Sequence, residues 1–341
     1  MKKLNERQKA INLSRSRKQI RLRSRRNKEY NRTAHPVSTL DKTHSKQTFT
    51  VKAPTHMSLL ENSDETLKFF KDVIDVFRKC TLRGKVFFSF KDVEILSIDS
   101  IMYVIALIRN VKRVKAFQIS CMGDMPDNKN ACEVLEKSGF FNYVTKRTSN
   151  AYDNNLLRDT VQIKSGNTAK SSLVGEICDF IHRVSSKTRN DTKRIYGMIN
   201  ELMTNTTQHA YKDDGNIMLN FWYIYIENME NSIKFIFLDT GTGIPNTVRK
   251  NHVEKLKSML INTEASYITS AFRGEFRSET RRKYRGRGLP EIYENVSTNE
   301  IQNLQVISGK GYCIPHKDDY FDECKLAETL SGTIFSWEIT K

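Results

Sequence analysis

The fold of the C-terminal half is decided by one stretch of sequence, IKFIFLDTGTGIP, residues 233–245. Its first six residues are almost all apolar, which predicts a buried strand. The carboxylate of Asp239 follows directly at the end of that strand, and Gly241 and Gly243 come next. Glycine lets a ligand approach the backbone closely because it has no Cβ. This order of strand, carboxylate and glycines therefore indicates a binding site at the strand end.

A helix is predicted upstream, over TKRIYGMINELMTNTTQHAY, residues 192–211. Its apolar residues recur with helical spacing and predict a buried face: Ile195, Met198, Ile199, Leu202 and Met203. Glu201, Asn205 and His209 recur every four residues and so share one stripe. Such a polar stripe is either a solvated helix face or one wall of a site. His209 itself is either a ligand contact or a helix-end histidine.

Two further glycine motifs follow downstream. In GRGLPEI, residues 286–292, Gly286 and Gly288 open a predicted helix, and the first amides of a helix favour phosphate. In LSGTIFSWEI, residues 330–339, Gly332 and Thr333 begin a predicted closing strand. Each motif alone is common, so the information lies in their order and in the elements that carry them.

In this order the four motifs resemble the asparagine box and the three glycine boxes of the GHKL ATPase superfamily, which includes gyrase and the histidine kinases. The resemblance covers residues 173–341. Within it, NELMTNTTQHAYKDDGNI, residues 200–217, looks closest to the anti-sigma-factor serine kinases. The resemblance implies an α/β fold class, the two-layer α/β sandwich of the Bergerat ATP-binding fold, with ATP and Mg²⁺ as cofactors.

The resemblance also implies roles for individual residues. Asn205 would bind Mg²⁺, and Glu201 would be the catalytic residue that orients or deprotonates the attacking water or hydroxyl. Asp239 would accept a hydrogen bond from the adenine amino group, with Thr333 supporting it or a water at the base. The other residues that the resemblance implies would contact the nucleotide through the backbone: Gly241, Gly243, Gly286, Gly288 and Leu289. Arg285 and Arg287 flank Gly286 and are therefore expected beside the phosphates.

The sequence departs from the superfamily pattern in three places. Pro290 stands where many members continue with a glycine, although proline is tolerated in a first helical turn. No phosphoacceptor-histidine helix is seen ahead of residue 173, and His182 lacks an acidic neighbour, so a conventional sensor histidine kinase is not expected. The stretch GKGYCIPHKDDYFDEC, residues 309–324, predicts an insertion loop.

The N-terminal half predicts a second, small α/β domain over residues 60–147. The strands KVFFSF (85–90) and AFQISCMG (116–123) alternate with helical segments, which implies a parallel or mixed sheet. The order resembles the STAS-like fold of anti-sigma-factor antagonists through an Asp-Ser pair at a helix start and a late helix motif: Asp99, Ser100, Leu135, Ser138, Gly139 and Phe140. Residues 148–172 are polar and predict a linker or a hairpin.

Positive charge is concentrated in two segments of this 341-residue chain, whose formal net charge is +17. Residues 1–32 hold 13 Lys or Arg and 2 Glu, and residues 1–50 predict a disordered basic arm. The arm is either a solubilising tail or a phosphate-binding segment for nucleic acid, DNA or RNA, or for anionic lipid.

The second basic segment, residues 246–288, holds 11 Lys or Arg and 4 Glu. It coincides with the place of the ATP lid in the superfamily, about 246–285. Its side chains either screen a triphosphate or form an exposed mobile loop. Arg281, Arg282 and Lys283 would equally suit a nucleic acid or an acidic partner.

The composition excludes several classes of protein. No apolar run approaches the ~18–20 residues of a membrane span, and MKKLNERQKA is not followed by the apolar stretch of a secretory signal. The six cysteines include no CxxC pair, which speaks against a zinc site or a disulfide framework and favours the cytoplasm.

These features predict a nucleotide-dependent switch, with slow ATP hydrolysis, that regulates a protein or nucleic-acid partner. A homodimer is a further expectation, since many GHKL domains pair. One alternative is a serine/threonine kinase of the anti-sigma type, with Ser100 or Ser97 as an acceptor in the same chain. The other is a nucleic-acid-binding protein that uses ATP as a structural ligand.

Overall fold

The N-terminal α/β unit is built on a parallel sheet. The computed structural model describes residues 48–80, 84–114, 119–144, 160–208, 221–251, 263–276 and 288–341. Three strands pair in the order β1 (Thr48–Lys52), β3 (Lys85–Ser89), β5 (Ser120–Gly123), and a short parallel pair joins β2 (His56–Met57) to β4 (Ile95–Leu96). The helices are α1 (Ser63–Lys79), α2 (Ile98–Val114), α3 (Lys129–Lys137) and α4 (Phe141–Val144). The expected alternation of helices with a parallel sheet is confirmed.

The C-terminal part is organised by a five-stranded antiparallel sheet. Its strands are β6 (Thr160–Gly166), β7 (Trp222–Asn228), β8 (Ser232–Asp239), β9 (Gln302–Pro315) and β10 (Phe321–Thr340), in the order β6-β7-β8-β10-β9. Within the described residues five helices accompany it: α5 (Ser171–Val184), α6 (Lys193–Gln208), α7 (Ile244–Asn251), α8 (Glu264–Phe272) and α9 (Gly288–Ser297). The chain is therefore a mixed α/β protein, as the sequence predicts.

Three segments differ from the sequence-based expectations. Residues 48–50, assigned to the basic arm, belong to β1, and the rest of that arm lies outside the described residues. Part of the expected linker, Thr160–Gly166, is a strand that pairs with β7. The expected insertion loop is mostly a β-hairpin, because Phe321 pairs with Pro315 and the two strands continue from there. The segment contains many polar residues, so its sequence did not indicate strands, although its two halves pair with each other.

The central strands β7 and β8 of the five-stranded sheet are buried on both faces. Side chains alternate between the two faces of a strand. On one face, Trp222, Phe235 and Trp337 join a cluster with α5, α6, α8 and α9. On the other face, Tyr223 and Leu238 join a cluster with the N-terminal unit. This double burial explains why β7 and β8 read as continuous apolar runs.

The two predicted domains therefore share one hydrophobic cluster, and residues 46–341 form one compact unit. Polar contacts reinforce the shared face. The Arg109 guanidinium of α2 lies over the rings of Phe221 and Tyr223, at 4.9 and 5.7 Å from their centroids, and donates to Ser165 Oγ at 2.6 Å. Across the residues described, no helix combines the length and the apolar character that crossing a bilayer requires.

Candidate functional site

Asp239 lies at the end of β8, in the middle of the sheet. It pairs with Trp222 of β7 on one side and with Thr333 of β10 on the other. Because it is two residues beyond Phe237, its side chain lies on the face that α6 covers. The Gly241 amide donates to Asp239 Oδ1 at 2.8 Å, and the Thr333 hydroxyl also hydrogen-bonds the carboxylate.

The Asp239 carboxyl has an unusual electrostatic setting. Burial raises its pKa to about 6, although the Gly241 amide and the Thr333 hydroxyl both act to lower it. At neutral pH the carboxyl group is therefore ionised, and removing its charge from water costs free energy. An ionised carboxylate has about four acceptor sites, so two donors leave it able to accept from a ligand.

A third side chain, Ser308, completes the polar network at this strand end. Ser308 Oγ lies 3.0 Å from Thr333 Oγ1, donates to the Gly332 carbonyl at 3.0 Å, and accepts from the Ile244 amide at 2.9 Å. The sequence offered no signal for Ser308, because it belongs to no motif and is brought here by the pairing of β9 with β10.

Glycine is required here for tight packing. Gly243 has φ +82°, and a Cβ there would lie 3.0 Å from Ser308 Oγ and 3.2 Å from the Gly332 carbonyl oxygen. Gly332 has φ +114°, and its Cβ would collide with the Asp239 carbonyl. At Gly241 a Cβ would lie 2.9 Å from Asp239 Oδ1. The glycines thus let two turns meet around Asp239.

A second group of candidate residues lies where α6 meets α9. Glu201 and Asn205, one turn apart on α6, hydrogen-bond each other through their side chains. Gly288 begins α9 directly against Glu201, so that any Cβ at position 288 would overlap the carboxylate. Burial and the negative charge of Glu291 raise the pKa of Glu201, while Asn205 acts to lower it. A raised carboxyl pKa suits a general base that works near neutral pH.

The cleft at this second group has a volume of about 250 Å³. Its walls include Glu201, Gly288 and Glu291, with Arg194 at the side. Leu289 of α9 turns its side chain into the cluster beneath the sheet. The structure thus brings together Glu201, Asn205 and Gly288, and separately Asp239, Gly241, Gly243 and Thr333.

Several predicted site residues lie outside the described part of the chain: His209, Arg281, Arg282, Lys283, Arg285, Gly286 and Arg287. Two cations of the basic segment 246–288 have carboxylate partners in its described parts. Arg249 Nη2 lies 2.7 Å from Glu264 Oε1, and Arg273 Nε lies 2.9 Å from Asp319 Oδ1. These two cations are therefore at least partly neutralised by carboxylates.

The proposed phosphate acceptor Ser100 is fully buried at the start of α2. Its hydroxyl donates to Asp99 at 2.9 Å, and Asp99 also accepts from the Leu59 amide at 2.9 Å and from the Ser97 hydroxyl. Ser97 is half-buried. The buried Asp99 and Ser100 therefore connect the start of α2 to the turn before α1 through hydrogen bonds.

No group of three or more His, Cys, Asp or Glu residues suited to a metal ion occurs within the ranges that the structure describes. Mg²⁺ usually takes only one or two protein oxygens and fills the rest of its coordination with water and phosphate. A single Asn205 would meet that need. No protein-family model matches the chain, and a search of curated proteins finds no match.

Proposed function

We propose that the chain binds ATP with Mg²⁺ as a GHKL-type protein and acts as a nucleotide-dependent switch with slow hydrolysis. The observation that carries the proposal is the part-buried Asp239 carboxylate at the end of a central strand. The Gly241 amide and the Thr333 hydroxyl orient it, and acceptor capacity remains for a ligand. The switch would regulate a protein partner or a nucleic acid.

The architecture supports this proposal. An antiparallel sheet with helices on one face agrees with a two-layer sandwich of the Bergerat type. The Asp239 side chain lies on the same face as α6, which carries Glu201 and Asn205. The small parallel sheet agrees with a STAS-like N-terminal unit. That unit covers the other face of the large sheet and leaves the helical face to the nucleotide.

Each residue would have a distinct task. Asp239 would accept from the exocyclic amino group of adenine, and it would repel guanine, which has a carbonyl oxygen in that position. Asn205 would hold Mg²⁺. Glu201, with its raised pKa, would orient the attacking water and take its proton. ATP itself supplies the reactive phosphoanhydride bond.

Phosphate transfer to Ser100 is disfavoured because that side chain is fully buried, whereas the alternative acceptor Ser97 is half-buried. Transfer to Ser100 would require α2 to leave the shared cluster, which contains most of its apolar residues. The proposal of nucleic acid binding depends on residues 1–32, which lie outside the described residues.

Nucleotide titration tests the binding step. Asp239→Asn keeps the size of the side chain and removes its charge, so we expect ATP affinity to fall at least about tenfold, since charged hydrogen bonds contribute about 1.5–3 kcal/mol. The matched control is Asp124→Asn. Asp124 also accepts a backbone amide, that of Phe90 at 2.5 Å, but lies in the N-terminal unit. Equal ATP affinity in Asp239→Asn and wild type would refute the site.

Hydrolysis is tested with γ-labelled ATP and Mg²⁺. Release of free phosphate by wild type, and its loss in Glu201→Ala with ATP still bound, would support the switch. Label on Ser100 or Ser97 instead would favour the kinase. Binding without either product would favour ATP as a structural ligand.

A further inference from the structure

Part of β10 leaves both of its neighbouring strands just before the candidate site. We call residues Leu326–Gly332 the β10 bulge. Between Lys325 and Thr333, only Leu330 has a pairing partner on β9, and the pairing with β8 begins at Thr333. Backbone amides in such a segment lose the partners that a regular ladder provides.

The N-terminal unit supplies partners for two of these amides. The Ala327 amide donates to Asp64 Oδ1 of α1 at 3.1 Å, and the Ser331 amide donates to the Tyr103 hydroxyl of α2 at 3.2 Å. Apolar contacts hold the same segment, because Leu326 and Leu330 are buried in the shared cluster. The β10 bulge is therefore seated on α1 and α2.

Tyr103 is the contact nearest to the candidate site. It is 1% exposed, and its ring lies 4.7 Å from that of Phe70. Burial raises the pKa of Tyr103, so the hydroxyl stays neutral, and Ser331 contacts it through the side chain as well as the amide. Ser331 is half-buried, and leaving its amide without a partner costs free energy, so the bond holds Ser331 in position.

Ser331 is two residues from Thr333, and the link between them has little freedom. Gly332 has φ +114°, packs against the Asp239 backbone, and has its carbonyl bound by Ser308. The next residue, Thr333, lies directly opposite Asp239 in the strand pairing, and hydrogen bonding by its side chain lowers the pKa of the Asp239 carboxyl. A shift of Ser331 would therefore move the donor that orients Asp239.

We infer that Tyr103 is a positioning residue for the adenine end of the proposed nucleotide site, acting through Ser331 and Thr333 on Asp239. The effect on nucleotide binding rests on the proposed function, whereas the effect on the position of Asp239 rests on the structure alone. It makes the geometry of the site depend on the N-terminal unit, on the side of the sheet away from the nucleotide.

The test compares Tyr103→Phe with Tyr312→Phe. Tyr312 is a matched control, since its hydroxyl also joins the hairpin to the N-terminal unit, 3.3 Å from the Leu60 carbonyl and 2.8 Å from Gln305 Oε1. Tyr312 pairs with Cys324, on the far side of the β10 bulge from Thr333. Thermal unfolding of both variants establishes that they fold.

Amide hydrogen exchange without nucleotide measures the positioning directly. We expect Tyr103→Phe to speed exchange in peptides that cover Ser331 to Ile334 and Asp239 to Gly241. Tyr312→Phe should leave these peptides as in wild type. Unchanged exchange in Tyr103→Phe, or equal acceleration in both variants, would overturn the inference.

Affinities for ATP and GTP measure the consequence. We expect Tyr103→Phe to weaken ATP binding about three- to tenfold, as for the loss of one hydrogen bond, and to lower the ratio of ATP to GTP affinity. A purely structural role would leave that ratio unchanged and would overturn the inference. If wild type binds neither nucleotide, the proposed function fails, and the exchange experiment still decides whether Tyr103 positions Asp239.

Discussion

Replacing Asp239 by asparagine should stabilise the unliganded protein while it weakens ATP binding. Burial raises the pKa of Asp239 from 3.8 to about 6. Between these two pH values the folded state holds the proton more tightly than the unfolded chain. Wild-type stability therefore falls as the pH rises through this window, and the loss is complete near pH 7.

The size of the effect follows from the same change. A rise from 3.8 to about 6 corresponds to about 3 kcal/mol, at about 1.4 kcal/mol for each pH unit. Since the side chain is only part-buried, solvent screening reduces this, and we expect about 2 kcal/mol at pH 7. Asparagine retains an oxygen that can accept from the Gly241 amide, so that hydrogen bond need not be lost.

Urea unfolding at pH 7.5 and at pH 4 measures the difference. The free energy of unfolding of Asp239→Asn should exceed that of wild type by the largest amount at pH 7.5, and the difference should nearly vanish at pH 4. Asp124→Asn serves as the control, because a weaker acceptor for the Phe90 amide should lower stability at pH 7.5. The reasoning about Asp239 would be refuted if Asp239→Asn were no more stable than wild type at pH 7.5, or if its added stability were the same at both pH values.

Two other substitutions test the packing. Gly288→Ala would place a Cβ onto the Glu201 carboxylate, so we expect phosphate release to drop at least about tenfold and the melting temperature to fall. Gly175→Ala, in α5 with nothing within 4 Å of the added Cβ, should instead gain about 0.5–1 kcal/mol, and a loss of activity there would count against the site. Arg109→Lys should cost about 1–2 kcal/mol, measured by urea unfolding, because lysine cannot stack a planar cation on Phe221 and Tyr223 while donating to Ser165. Stability equal to wild type would show that the stacking contributes nothing.

Local patterns in the sequence were enough to predict much of the core arrangement. The strand that ends at Asp239 and the helix with Glu201 and Asn205 follow from apolar periodicity, and both are present as expected. Thr333 pairs with Asp239 in the sheet, and the supporting role that the resemblance implies for Thr333 stays a prediction. These features depend on residues close together in sequence or on recognisable motifs.

The remaining features depend on contacts between distant residues. Tyr103 and Ser331 are hydrogen-bonded although they are 228 residues apart in sequence, and a periodic pattern of residues cannot predict such a contact. Ser308 reaches the site only because β9 pairs with β10. The polar strand β6 reads as a linker because its residues are mixed in character, and only its pairing with β7 shows what it is.

The position of β10 in the sheet has a consequence for how the protein folds during synthesis. β10 lies between β8 and β9 in the sheet, but it follows all the other described strands of that sheet in the chain and is therefore synthesised after them. Until β10 is made, the edge of β8 that pairs with it has no partner strand. The N-terminal unit, which is made earlier, also lacks its contacts with the β10 bulge. Such distant pairing slows folding and leaves strand edges exposed to other chains. We therefore expect a nascent chain that lacks β10 to depend on chaperones more strongly than the finished protein.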